Sequence, residues 1–346
     1  MKPVEQQTLF LSVQELIENA KRNVIRNVNS VLVTTYFQIG RMIVEDEQEG
    51  AAHAQYGVQT IKKLSSHLTM HFGRGYSVDN LENMRAFYLA YSKSETVSRI
   101  FENSNSNYET PSRNLSEVLK LSWSHYVSLL KIKNADERRF YELEAEKGNW
   151  SLRELQRQVN SSYYERLALS RDKDGVRKLA QEGQLLEKPT DILKSPVILE
   201  FLDLKEDNRY SENDLETAII NKLEHFMLEL GKGFLFEGRQ RRISLDGDHF
   251  WIDLVFYNRL LNCFLLIDLK IGRLTHQDIG QMQMYVNYYD RKIKKADERP
   301  TIGIVLCKED NKAVVEFTLP LNNEQIFSKE YKLYFPSKEE LKKQLL

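Results

Sequence analysis

Two apolar runs in the second half of the chain constrain its fold more than any other feature. FWIDLVFY (250–257) is almost wholly apolar or aromatic, and CFLLIDLK (263–270) opens with five apolar residues. Runs of this kind read as strands covered on both faces. The turn YNRLLN joins them, so they pair as a hairpin. Each run carries an acid, Asp253 and Asp268. An unpaired carboxylate in such a strand is costly. Strand alternation puts Asp268 and Lys270 on one face and Leu269 on the other. Two acids at the ends of adjacent strands, with a lysine beside one, suit a metal site. A hard Mg²⁺ ion prefers carboxylate oxygens and needs only one or two from protein. The lysine can orient or deprotonate a water and balance charge on a phosphate, while the cation activates water and holds a leaving oxygen.

A lone D-x-K is more often a strand-end salt bridge than a site. Three features raise its weight here. Gln281 and Tyr285 lie four apart on the helix after the second strand and share a face. Glu216, on the amphipathic helix before the sheet, offers a further carboxylate. Both strands are too apolar to carry acids without a reason.

The surrounding pattern is one helix over SENDLETAIINKLEHFMLELGKG (211–233), stopped by Gly231 and Gly233. Strand-like runs follow at FLFEGRQRRISL, HFWIDLVFYN, CFLLIDLK, TIGIVLC and EYKLYF, with one helix over roughly 276–289. Ser337 and Glu340 form a capping box for a short C-terminal helix. Helix, three strands, helix, strand predicts an α/β domain with a mixed sheet. Residues 1–170 show only helical periodicity: 9–47, 57–72, a helix capped by Ser77 or Asp79, 121–132, 136–149, and 150–167 opened by the Ser151–Glu154 box. The Ser- and Asn-rich stretch 92–116 reads as a long surface loop. The expected organisation is therefore α+β and multidomain: an all-helical domain at 1–170, a linker at 171–195 and an α/β domain at 196–346.

Asp253, Asp268-Leu269-Lys270 and Gln281-x-x-x-Tyr285 together resemble the PD-(D/E)XK nuclease superfamily. FMLELGKGFLFEGRQ (226–240), WIDLVFYNRLLNCFLLIDLKIG (251–272), GQMQMYVNYY (280–289) and PTIGIVLCKEDN (300–311) resemble its YhcG family. So do YFQIGRMI (36–43), YGVQTIKKLSSHL (56–68), FGRGYSVDNLENMRAFY (72–88), LSWSHY (121–126) and NWSLRELQRQV (149–159) in the first half. The resemblance implies a restriction-endonuclease-like core behind a helical, DNA-binding N-terminal domain. It implies a Mg²⁺-dependent deoxyribonuclease, with Mn²⁺ as an alternative ion, in repair, recombination or restriction and defence. It assigns Asp253 and Asp268 to the metal, Lys270 to the superfamily lysine, and Gln281 and Tyr285 to the auxiliary pair. Glu216 sits where related enzymes often place a helix glutamate. The middle acid here is Asp268, where the family more often has Glu. RNA as substrate, and a non-catalytic nucleic-acid-binding or assembly module, are the competing expectations.

DNA-binding candidates lie in both halves. The helix pair in 56–91 resembles a helix-turn-helix that would present Asn80, Asn83 and Arg85, with Arg74 in its turn; a plain helical hairpin is the alternative. Arg239, Arg241 and Arg242 form a basic cluster before Asp253, fit for phosphates or for a solvated strand edge. Lys+Arg number 49 and Asp+Glu 50, which excludes a protein that coats nucleic acid by bulk charge but not local patches. His67 and His71 are four apart but lack a third ligand, so zinc is not expected. Two cysteines exclude a disulfide framework. With no apolar run of membrane-spanning length and no G-x-x-x-x-G-K-[ST], neither a membrane span nor a nucleotide cofactor is expected. A cytoplasmic protein is the default, and a homodimer is a compatible assembly.

Overall fold

The computed structural model describes residues 3–49, 56–92, 115, 118–168, 173–192, 194–204, 210–337 and 340–341. Most of the expected loop at 92–116 lies outside these residues, as does most of the C-terminal helix after Glu340. The chain divides into two compact units, Met1–Leu155 and Gln156–Leu346. A helical first region and a second region built on a mixed sheet are what the patterning predicts.

Among its described residues unit one contains helices and no strand. α1 (Pro3–Glu49), α2 (Tyr56–Phe72) and α3 (Val78–Tyr91) come first, then α4 (Trp123–Leu129) and α5 (Ala135–Gly148). The start of α6 (Leu152–Asn160) completes it. Ser77 caps α3 through the Asn80 amide, and Asn134 caps α5. The core packs Ile43, Ile61, Leu81 and Met84, with Phe37 and Phe87 edge-to-face at 5.6 Å. Gly40 lets α1 approach α3 closely, because a Cβ there would collide with the Met84 carbonyl.

In unit two, β1 (Val197–Ile198), β2 (Phe234–Leu245), β3 (Asp248–Asn258), β4 (Cys263–Arg273), β5 (Ile302–Glu309) and β6 (Ile326–Lys332) form one sheet. Their order is β1-β6-β5-β4-β3-β2. β2, β3 and β4 are antiparallel neighbours, whereas β4–β5, β5–β6 and β6–β1 are parallel. The β4–β5 crossover runs through α11 (His276–Tyr288), capped by the Thr275–Asp278 box. α12 (Lys312–Thr318) links β5 to β6. One face carries α9 (Glu212–Asn221) and α10 (Leu223–Leu230) over Leu254, Phe256, Leu265, Ile267 and Leu269. The other carries α11 over Val255, Leu266 and Val305. Cys263 and Cys307 are buried thiols.

Several element boundaries differ from expectation. The single helix expected at 211–233 is two, broken at Lys222 (φ −119, ψ 31), which lets Phe226 turn into the core. The helix expected at 150–167 breaks at Ser162, whose φ is 52, giving α6 and α7 (Tyr163–Ala168). The final strand is Ile326–Lys332 rather than 330–335, because the buried alternation begins at Ile326 and Ser328 and the chain bends after Lys332. β1 is only two residues long, too short for a periodic signal.

The 171–195 stretch contains α8 (Lys173–Glu182) and a 3-10 turn at Pro189–Ile192, and both lie in unit two. Arg166 of α7 is fully buried against Glu229 of α10, and Lys194 donates to the Glu229 carbonyl. Burial works against ionised Glu229, but Arg166, Lys194 and Arg157 outweigh it and hold its carboxyl down at about 2. Arg157, Arg166 and Lys194 are therefore tied into the sheet unit through the buried Glu229.

Candidate active site

The site begins with a crease in the sheet. Along β3, Leu254 packs into the α9 side and Ile252 into the α11 side, although both have the same parity. Alternation therefore breaks at Asp253. The partner strand breaks at the same level: Arg239 pairs with Leu254 and Arg241 with Ile252, leaving Gln240 opposite Asp253 with φ at 46. A positive φ in a non-glycine strand residue is uncommon and marks a constraint. On the other side, the β3–β4 ladder ends at Leu254↔Ile267. One step further, Asp253 stands opposite Asp268.

At that step side chains replace the ladder. The Leu269 amide donates to Asp253 Oδ2 at 2.8 Å, and Gln240 Nε2 donates to Asp253 Oδ1 at 3.0 Å. The same Gln240 amide also donates to Glu216 of α9. Lys270 Nζ lies 2.9 Å from Asp268 Oδ2 and 3.6 Å from Glu212 Oε2. On the α11 side, Gln281 Nε2 donates to the Tyr285 hydroxyl at 2.5 Å, and that hydroxyl donates to the Trp251 carbonyl at 2.8 Å. The pair thus holds the β3 backbone two residues from Asp253.

The electrostatics follow from burial. Asp268 is 2% exposed. Desolvation pushes its carboxyl up to about 7; the Lys270 ammonium opposes this and the Asp253 charge adds to it. Lys270 faces the same desolvation, but the Asp268 charge beside it outweighs that and raises its pKa. The two groups attract as charges at 2.9 Å, yet Asp268 Oδ2 is buried and receives no well-directed hydrogen bond. Proximity without alignment makes this a weak bond, and desolvation remains the larger effect on Asp268. Glu216 is also raised, by burial first and by Asp253, against the Gln240 hydrogen bond. Burial, with Asp268 nearby, pushes Tyr285 up to about 12. Asp253 thus sits in a cluster of acids, where its charge helps to raise both Asp268 and Glu216.

Such a cluster fits a hard divalent cation. The donors are all oxygens, and a buried carboxylate oxygen lacks an aligned partner. Among the described residues no group of three or more His, Cys, Asp and Glu side chains is arranged to hold a metal ion. An octahedral ion that keeps several waters requires no such group.

Residues 190–346 match the family model described as the YhcG PDDEXK nuclease domain, and 12–166 match the DUF1016 N-terminal domain. The chain belongs to the YhcG family. A relative from Escherichia coli (strain K12), "Putative nuclease YhcG", is 39% identical over 352 residues, covering 98% of this chain and 93% of its own. A repair endonuclease from Pyrococcus abyssi is 18% identical over 38% of this chain and 50% of its own, at a TM-score of 0.26. A structure described as an EndoMS–dsDNA complex is 15% identical over 39% and 51%, also at 0.26. Those two likenesses carry no weight for the site.

The structure brings Asp253, Asp268, Lys270 and Glu216 to one crease, with Gln281 and Tyr285 bracing β3 behind it. Sequence reasoning missed Gln240 and Glu212. Glu212 lies one turn before Glu216 on α9, a signal that was available; Gln240 had none, because its role depends on the crease.

The nucleic-acid candidates are more dispersed. Arg239, Arg241 and Arg242 are exposed on β2, with Arg241 paired to Glu237 and Arg242 cross-strand from the half-exposed Trp251. In unit one Arg74 is exposed in the turn after α2. Asn80 has both ends of its amide committed, donating to the Gly75 carbonyl at 2.6 Å and accepting from Trp123 Nε1 at 2.8 Å. Arg85 pairs with Glu47 of α1 at 2.6 Å. These two residues brace the bundle.

Proposed function

We propose that unit two is a metal-dependent nuclease that hydrolyses DNA phosphodiester bonds at the Asp253–Asp268 crease. One observation carries this reading: two carboxylates opposed across adjacent strands, one buried and raised, with Lys270 at 2.9 Å. Asp253 and Asp268 would hold Mg²⁺ or Mn²⁺, with Glu216 as a further carboxylate behind Gln240. The bound cation supplies Lewis-acid charge neutralisation at the scissile phosphate. Lys270, kept protonated by Asp268, places an ammonium beside the phosphate and orients the attacking water. Gln281 and Tyr285 fix the β3 backbone, and so the Asp253 carboxylate, within the tolerance catalysis requires. Arg239 and Arg242 offer exposed cations to the strand beside the crease.

The test is incubation of the full chain with plasmid, linear and branched DNA, and with RNA, in Mg²⁺ or Mn²⁺. Cleavage should require the ion and vanish in Asp268→Ala and Lys270→Ala, both of which should retain their circular dichroism spectrum. Cleavage that survives both substitutions and a chelator sinks the assignment. Binding without any metal-dependent product favours a non-catalytic DNA-holding module, and a product from RNA alone moves the substrate class.

A further inference from the structure

α1 runs for 47 residues, about 70 Å at 1.5 Å per residue. Only its second half enters the bundle, burying Val33, Phe37, Gly40 and Val44. Every described side chain from 10 to 28 is exposed. That exposed half is not polar. Phe10, Val13, Ile17, Val24, Val28 and Val31 are 44–69% exposed. At 100° per residue these six fall within a 60° arc, on the side of the helix opposite Val33, Phe37 and Val44. The stripe therefore cannot serve the bundle that the second half of α1 packs into. Soluble monomers rarely leave such a contiguous apolar strip uncovered, and a long helix draws most of its stability from packing an apolar face.

The pattern specifies its occupant. Reflecting positions about the point between Ala20 and Lys21 maps Phe10 onto Val31, Val13 onto Val28 and Ile17 onto Val24. A stripe unchanged by reversal is self-complementary to an antiparallel copy, as an isologous two-fold contact requires. Charge follows the same rule. Within 3–32 the acids, among them Glu15 and Glu18, all precede the centre, and the bases, beginning with Lys21, all follow it. An antiparallel copy sets each acidic half against a basic half, whereas a parallel copy sets like against like. The stripe spans 22 residues, three heptad lengths, enough to sustain a two-helix seam.

We propose that α1 pairs with α1 of a second copy of this chain as an antiparallel two-fold dimer centred on Ala20 and Lys21. This does not depend on the nuclease reading.

The test uses the full chain, whose native cysteines Cys263 and Cys307 are buried. Light scattering should give twice the 40.7 kDa chain mass at micromolar concentration. Ile17→Glu with Val24→Glu should return it to one chain mass while melting of the sheet unit is unchanged. Crosslinking fixes the direction. Ile17→Cys together with Val24→Cys should form an oxidised dimer, because the two positions face each other across the axis. Ile17→Cys alone should not, since its two copies would lie about 10 Å apart along the helices. A monomeric wild type overturns the proposal. So does a dimer unaffected by the glutamates, and efficient crosslinking through Ile17→Cys alone would show a parallel seam instead.

Discussion

Asp268→Asn should make the metal-free protein more stable above neutral pH while removing its cleavage. The carboxyl sits at about 7 in the fold against 3.8 in its ordinary state, and it is 2% exposed. Between those values the folded chain keeps a proton that the unfolded chain has released, so stability falls as pH rises from about 4 to about 7. Above 7 the whole penalty is present, a ceiling of about 4 kcal/mol. Asparagine keeps the shape and removes the charge. Lys270 then keeps Glu212 at 3.6 Å, and the loss of its nearer partner offsets part of the gain. The net expectation is about 2–3 kcal/mol at pH 8.5, or roughly 5–10 °C in Tm for a unit of this size. Thermal unfolding of wild type and variant in EDTA from pH 4 to 8.5 measures it. The two curves should nearly coincide at pH 4 and separate through 7. Added Mg²⁺ should raise the wild-type Tm and leave the variant where it was. Parallel curves, or a variant that melts lower at pH 8.5, would refute the account of Asp268 as a buried, raised carboxyl.

Three further outcomes follow from other contacts. Gln240→Leu removes the amide that joins Glu216 to Asp253, and the Mg²⁺ concentration for half-maximal cleavage should rise about tenfold, roughly the worth of one charge-assisted hydrogen bond. Glu229→Gln leaves Arg166 buried without its counter-charge and should cost unit two about 3–5 kcal/mol in denaturant unfolding at pH 7. Because the Glu229 carboxyl is depressed to about 2 from 4.5, its contribution is complete above 4.5 and is lost as pH falls towards 2, so the deficit should shrink over that window. Gly40→Ala drives a methyl into the Met84 carbonyl and should destabilise unit one by about 1–3 kcal/mol without changing cleavage at the crease.

The strands of the sheet were legible because central strands must be apolar on both faces, and FWIDLVFY and CFLLIDLK satisfy that with almost no polar residue. The same requirement made Asp253 and Asp268 conspicuous. Lys222 was not legible as a helix break, because the apolar spacing continues across it and only the turn of Phe226 into the core shows the interruption. Arg166 and Glu229 read as ordinary surface charges until the fold brings them together from 63 positions apart. Unit boundaries share this limit. The helical pattern continues to the end of α7, while the charge cluster assigns that helix to the sheet.

The crease shows why the site is local in space but scattered in sequence. An alternating strand cannot place a carboxylate in the plane of its own sheet, since each side chain points up or down. By breaking alternation at Asp253 and setting Gln240 at positive φ opposite it, the chain turns a carboxylate into the gap where β3 and β4 part. The Leu269 amide then bonds a side chain instead of a backbone carbonyl, so the ladder loses no donor while the acid gains a fixed position. Asp268 needs no such device, because it shares the parity of Leu266, which packs on the α11 side. The two acids therefore reach one place by different routes, one through a regular strand and one through a broken one. Only the regular route follows a period that a sequence can display.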